Sequence, residues 1–344
     1  LKDRSASPQS GLLNTAGTRG LNIKGKADSA SSKFRKGDID RLGAYILTPL
    51  WKYLQGKREL LVVPDGLLNR VSIAALQWNR KNLFEYMLIR QLSGSNVLSG
   101  KPVELLKKSK ALLAGSLRYD SDLYAGSLKP LNKNIKWNYL PGTATELGLL
   151  LPVFRSSGIS TDTVTGYEFP DSARRRLSGY NIIHLATHGF YFDSSTVNTL
   201  YSQSYNLTAI RENPMMRCGI AMSYANTPPG KNFESDGYLF GFELANTDLR
   251  NCYLVSLSAC ETGLGDLRNN LGVDGLSRAL KLGGARHLLI SLWKVPDQPT
   301  AVFMQHFYKE LFSGSTPAAA LRSTQKMMSA DYPVADWAAF ILVE

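Results

Sequence analysis

The sequence predicts an α/β fold on a mostly parallel sheet with helices on both faces. Three observations lead there. Short apolar runs recur along the chain, among them Ala111-Leu-Leu-Ala, Ile182-Ile-His-Leu and Leu254-Val-Ser-Leu. Segments with helical spacing separate them. The runs are nearly continuous rather than alternating, which is the pattern of strands buried on both faces.

In order, Leu42, Ile46, Leu47, Leu50 and Tyr53 recur at helical spacing and predict an amphipathic helix over about 40–56, kinked at Pro49. Glu59 to Val63 reads as a short strand stopped by Pro64-Asp65-Gly66. A helix is expected near Ile73 and a strand over Tyr86–Arg90. The strand from Ala111 opens a second block. Pro141 to Glu146 leads into a helix with Thr143 as its cap and Glu146 three positions on. Thr161–Thr165 is β-branched and strand-like, and Ser172–Leu177 a short helix. Two strands end abruptly, one at His188-Gly189 and one at Cys260. Between them, 191–235 reads as a long polar loop, then a short helix over Tyr238–Ala245. A helix over 273–282, a strand over His287–Trp293, and helices near 298–312 and 317–330 complete the chain.

Bulk composition narrows the classes. With 344 residues, 44% hydrophobic and 20% charged, the chain can bury a large core. No run of ~18 apolar residues is present, so no membrane-spanning helix is expected. The start, Leu1-Lys-Asp-Arg-Ser5, lacks an apolar leader and an initiator Met, and is expected to be an interior or processed end. Three cysteines, Cys218, Cys252 and Cys260, make no disulfide framework, which fits a reducing cytoplasm. His184 and His188 are four apart but in a strand-like run, so no metal is expected and no cofactor motif is found. The net charge is +12, with Lys2, Arg4, Arg19, Lys24, Lys26, Lys33, Arg35 and Lys36 crowding the start. Residues 1–39 read as a basic flexible linker from an upstream domain. A nucleic-acid arm is the lesser alternative, because no aromatic platform accompanies the charge.

The chemistry lies in the two strand ends. In parallel sheets, sites form beyond the carboxyl ends of strands. A thiolate is the reactive form of cysteine, and a nearby imidazole can take its proton. His188 as base and Cys260 as nucleophile therefore form a candidate cysteine-peptidase dyad. Backbone N–H groups of Gly189 and Cys260 are the oxyanion candidates. His184, Cys218 and Cys252 read as core residues.

These strings resemble the CHAT family of caspase- and separase-like cysteine peptidases, often fused to tetratricopeptide repeats. The matching strings are Val63-Pro-Asp-Gly-Leu67, Ala144-Thr-Glu-Leu147, His184-Leu-Ala-Thr-His-Gly189, Leu257-Ser-Ala-Cys-Glu-Thr-Gly263, Gly283-Gly-Ala285, Ser291-Leu-Trp-Lys-Val-Pro-Asp297 and Asp336-Trp-Ala-Ala-Phe340. The resemblance implies a caspase-like fold, with 40–110 a reduced non-catalytic N-terminal part and 111–344 the peptidase core. It implies His188 and Cys260 as the catalytic pair of a cysteine endopeptidase. It also implies a peptide substrate bound as an extended strand on Ser291–Pro296, with Trp293 walling a pocket. Asp297 either recognises a basic residue before the cut or caps the helix starting at Gln298-Pro299. Control by an upstream repeat or sensor domain, in a bacterial defence setting, is the expected biology. A catalytically silent interaction module is the alternative.

Overall fold

The computed structural model describes residues 36–94, 109–120, 136–169, 171–192, 213–226, 237–258 and 274–344. Cys260 and most of the basic 1–39 segment lie outside these residues.

Helix α1 (Lys36–Leu54) leads to strand β1 (Glu59–Val62). Its helix is continuous through Pro49, and its buried face differs from the expected one. Gly43 and Leu47 are buried, whereas Leu42, Leu50 and Tyr53 are exposed. The cause is a close backbone approach: a Cβ on Gly43 would sit 2.4 Å from the Gln77 carbonyl oxygen. That contact rotates α1 so that Leu47, with Ile46, Trp51 and Leu54 beside it, meets Ile73, Leu76, Leu83 and Met87. The expected helix at Ile73 is a single 3-10 turn, Ile73–Ala75. A hairpin of β2 (Gln77–Trp78) and β3 (Lys81–Asn82) follows, then the one-turn helix α2 (Leu83–Tyr86) and β4 (Leu88–Gln91). The strand expected from Tyr86 begins two residues later, because Asn82 and Glu85 form a capping box that keeps Tyr86 helical.

The second block comprises β5 (Lys110–Leu117), α3 (Pro141–Ser156), β6 (Ser160–Gly166), a 3-10 segment (Asp171–Gly179) and β7 (Ile182–Leu185). Next come β8 (Gly189–Tyr191), β9 (Cys218–Ala221), β10 (Tyr238–Phe240) and α4 (Gly241–Ala245). Then β11 (Leu254–Leu257), α5 (Asp274–Gly283), β12 (His287–Ser291), α6 (Asp297–Phe312), α7 (Pro317–Asp331), α8 (Val334–Trp337) and β13 (Phe340–Val343) complete the chain.

Eight strands form one sheet in the order β1-β4-β13-β12-β11-β7-β5-β6. The pairings are parallel except β12 with β13, so the sheet reverses direction once. Strands of the 40–110 part join through β13, the last strand of the chain. Side chains alternate between two cores. Ile183, Leu185, Val255, Leu257, Leu288 and Ile290 face one, and Ile182, Leu254 and Leu289 the other. The second core packs α3, α6 and α7, and the first packs α4, α5 and a small antiparallel sheet, β10-β9-β8. That small sheet corrects the reading of 191–235 as loop, since Cys218–Ala221 is a fully buried strand. Tyr238–Phe240, expected to be helical, is its edge partner.

Two predictions follow from packing and burial. Gly43→Ala forces α1 off Gln77 and is expected to cost about 1–3 kcal/mol. Gly148→Ala, in α3 with nothing within 4 Å of the new Cβ, should be neutral or gain up to about 1 kcal/mol. Urea titration of both variants checks this, and equal effects would reject the close approach. The second concerns His287, the buried first residue of β12. Burial, reinforced by Lys281, Arg286 and Arg90, pushes its imidazole from 6.5 down to about 3. Between those values the unfolded chain binds a proton that the folded one refuses. Stability should therefore fall as pH drops from about 6.5 toward 3, and His287 contributes no slope above that window. His287→Gln should flatten the decline by on the order of 2–4 kcal/mol, read from urea midpoints across the window.

Candidate active site

His188 sits where the chain leaves one sheet for the other. After β7 ends at Leu185, the Ala186 N–H still donates to the Ala114 carbonyl (2.8 Å) on β5. Three residues later Gly189 opens β8, paired with β9. The Ala221 N–H donates to the His188 carbonyl (2.8 Å), and the Thr187 hydroxyl to the Ala221 carbonyl (2.6 Å). Backbone on both sides of the imidazole is thereby fixed.

The side chain is equally constrained. His188 is buried, with the Tyr119 and Trp137 rings each 5.2 Å from its own. Its Nε2 lies 2.7 Å from the Asn138 carbonyl oxygen. A carbonyl only accepts, so Nε2 carries the hydrogen and Nδ1 is the basic nitrogen. The segment bearing Asn138 is clamped by Asn226, whose Oδ1 accepts from the Trp137 N–H (2.8 Å) and whose Nδ2 donates to the Trp137 carbonyl (2.7 Å). A bulge in β5 holds its other side. Ser116, at φ +55°, donates its N–H to Thr143 Oγ1 (2.8 Å) and places its hydroxyl 2.8 Å from that of Tyr139. Tyr119, Trp137, Asn138 and Asn226 were missed in the sequence. Trp137, an aromatic set between Lys136 and Asn138 and followed by Tyr139, was the available signal.

Thr143 is not the cap of α3. That helix begins at Pro141, and the Thr143 hydroxyl instead donates to the Leu140 carbonyl (2.7 Å). The start of α3 is held by Asp297, whose Oδ2 accepts the Gly142 N–H (3.1 Å). A Cβ on Gly142 would come within 2.2 Å of that carboxylate. Asp297 is also the first residue of α6, whose N-cap position is Pro296. Its carboxylate thus caps a helix other than the one it opens. Glu146, one turn along α3, is fully buried 3.2 Å from Nε2 of His184 on β7. His184 Nδ1 lies 3.4 Å from the Tyr308 hydroxyl, and burial drives that phenol far above its usual range. His184 is therefore a core residue, as its mid-strand position predicts.

The substrate-rail residues are placed as follows. Ser291 is buried and paired with Phe340 of β13, and the Leu292 N–H donates to the Ala339 carbonyl (2.8 Å). The chain leaves β13 at Trp293, whose Nε1 donates to the Ala335 carbonyl (2.7 Å). Burial pushes the Cys218 and Cys252 thiols up to about 12, so neither is a thiolate near neutrality. Among the described residues no cluster of His, Cys, Asp and Glu suits a metal ion, and no helix is long and apolar enough to cross a membrane.

Comparison with known proteins agrees with this architecture. The model of the CHAT domain matches residues 38–344. The human and mouse proteins named tetratricopeptide repeat protein 28 are 35% identical over 75 residues and 31% identical over 100. These spans are 21% and 28% of this chain but 3% and 4% of those proteins, so the match is to a small part of their length. The Arg-specific cysteine proteinase gingipain R superposes with a TM-score of 0.51 at 9% identity, over 90% of this chain and 67% of that one. Separase in the Saccharomyces cerevisiae separase–securin complex gives 0.44 at 12% identity, over 75% of this chain and 14% of that one. The gingipain likeness shows the fold, which is caspase-like.

Removing one partner of the buried Glu146–His184 pair should strand the other. Glu146→Ala is expected to cost about 3–5 kcal/mol, whereas Glu146→Gln, which keeps a hydrogen-bonding group, should cost less. Thermal or urea denaturation checks the order, and equal losses would reject the pairing as the cause.

Proposed function

The chain belongs to the CHAT domain family, and on that premise we propose that it is a cysteine endopeptidase using His188 and Cys260. One observation carries the reading. Strands β7 and β11 are adjacent and parallel, and Leu185 is the register partner of Leu257. His188 lies three residues past the first and Cys260 three past the second. The two strands reach the same sheet edge in register at Leu185 and Leu257, neighbouring strands being about 4.8 Å apart.

The chemistry follows from the imidazole. With Nε2–H held by Asn138, Nδ1 takes the proton of the Cys260 thiol. The thiolate sulfur attacks the substrate carbonyl, and N–H groups of Gly189 and Cys260 stabilise the oxyanion. Collapse breaks the C–N bond, and the proton passes from His188 to the leaving amine. Water then hydrolyses the acyl-enzyme with His188 as base. The peptide lies extended beside the segment from Trp293 to Asp297, past the point where β13 pairing ends. The tetratricopeptide-repeat relatives support control by a repeat domain elsewhere in the full protein.

Cys260→Ala should abolish cleavage of a peptide library, and His188→Ala should lower it by on the order of 10²–10⁴-fold. Cleavage surviving Cys260→Ala removes the proposal. A carboxylate that caps Gly142 also has the chemistry to select a basic residue before the cut. Asp297→Asn keeps an acceptor for Gly142 but removes the charge. It should lose basic preference with little loss of stability, while Asp297→Ala loses both. Equal cleavage of basic and neutral substrates by the unmutated protein rules out that role.

A further inference from the structure

We propose that the open edge of β1 is a self-association surface, which pairs antiparallel with β1 of a second copy of this chain about Leu61. Strand β1 ends the eight-stranded sheet, and among the described residues its strand partner is β4. The Arg58 carbonyl accepts from the Leu88 N–H (2.9 Å), and the Val62 carbonyl from the Leu92 N–H (2.8 Å). Main-chain groups alternate in direction along a strand. Residues 58, 60 and 62 therefore turn theirs to β4, and Glu59, Leu61 and Val63 turn theirs to the open edge. The apolar side chains on the edge-facing residues are exposed, Leu61 at 41% and Val63 at 53%. Natural edge strands are commonly blunted by lysine, proline or a bulge. From Glu59 to Val63 none of these is present. Pro64 follows, but it falls in the set that faces β4, so its missing N–H takes nothing from the edge.

The edge fits a copy of itself. Pairing about Leu61 sets Leu61 opposite Leu61 and Glu59 opposite Val63. Every edge-facing residue then meets another, which is the condition for exchanging N–H···O=C bonds. The same register places Lys57 of each copy opposite Asp65 of the other, as two-fold symmetry requires. Both side chains are exposed, and extended backbone continues through Asp65 (φ −128°, ψ 152°). Neighbouring registers are opposed by charge. Centring on Glu59 sets Glu59 against Glu59, and centring on Val62 sets Glu59 against Asp65. Leu61 and Val63 lie on one face of the strand, so the two copies bring their exposed apolar side chains together. A strand of four residues makes a small interface, below the ~1,200 Å² of ordinary specific ones, so dissociation in the micromolar range is expected. Four strands separate β1 from β7, and the association does not depend on the peptidase reading.

Sedimentation velocity of the 344-residue chain across the micromolar range should show a monomer–dimer equilibrium. Leu61→Pro removes an edge-facing N–H and leaves the bonds to β4 in place, and should weaken association by about 10-fold or more. Leu61→Lys keeps that N–H and sets two cations side by side. It should weaken association as much, and it carries the test if proline lowers the urea midpoint. Charge reversal tests the register. Lys57→Glu and Asp65→Lys should each dimerise about 10-fold more weakly alone, because like charges then face each other at both ends. Mixed in equal amounts, the two variants should regain the original affinity as a heterodimer, since each reversed charge then meets the other. Asp65 Oδ1 also accepts the Gly66 N–H (2.8 Å), and a loss caused only by that broken cap would not be rescued by mixing. A chain that stays monomeric throughout overturns the proposal and leaves the edge to an unrelated strand. Dimerisation unmoved by both Leu61 variants, or a mixture no tighter than the separate charge variants, overturns it as well.

Discussion

The lateral pairing of β7 with β11 is the contact on which the candidate site depends. Neither strand has room to slide. A one-residue slip would turn Ile183 and Leu185, or Val255 and Leu257, out of the core they share. A two-residue slip preserves the faces, so hydrophobic alternation alone does not forbid it. The buried polar groups do. His184 is opposite Ser256 and stands against Glu146 and Tyr308, while the Ser256 hydroxyl faces the Met304 sulfur at 3.6 Å. Displacing His184 by two positions would leave the Glu146 carboxylate in apolar surroundings without the imidazole. A polar pair that adds little net stability can still fix a register in this way.

The second constraint acts on α3. Its first turn is tied to α6 through Asp297, to the β5 bulge through Thr143 and Ser116, and one turn later to β7 through Glu146. Asn138 lies three residues ahead of this anchored start, and its carbonyl receives the His188 Nε2 hydrogen. Both ends of that hydrogen bond are therefore referred to β7, one through four residues of strand and turn, the other through α3. The imidazole is oriented by a backbone group, the Asn138 carbonyl.

These constraints explain what the sequence revealed and what it withheld. His188 stood out in the sequence because an apolar run ends there, at an imidazole beside a glycine. His184 was legible as core because it lies inside the run. Asn138 was not, since every residue has a carbonyl and only the fold decides which one faces the ring. Gly43 and Leu42 exchanged roles because the face of an amphipathic helix is chosen by its closest backbone contact, which periodicity does not report. Strand β9 was hidden by its length: four residues, one of them glycine, within a polar stretch. Most strand and helix positions from Ala111 onward came within a few residues, since there the apolar runs are long and nearly continuous.

The reversal between β12 and β13 was also invisible, because α6, α7 and α8 separate the two strands in sequence. Its consequence is geometric. In an all-parallel sheet, the edge beyond the strand carboxyl ends is bordered only by chains leaving the sheet. Here β13 and β4 run against β12, so their amino ends reach the edge where β12 finishes. The segments entering those strands, α8 before β13 and the 73–87 stretch before β4, are brought up against Trp293. One half of the sheet thus carries His188 past its own strand end, and the opposed half brings apolar side chains up against Trp293. Residues 73–87 reach that space because β4 runs opposite to β12; opposite strand polarity is enough to bring the early part of the chain to this edge.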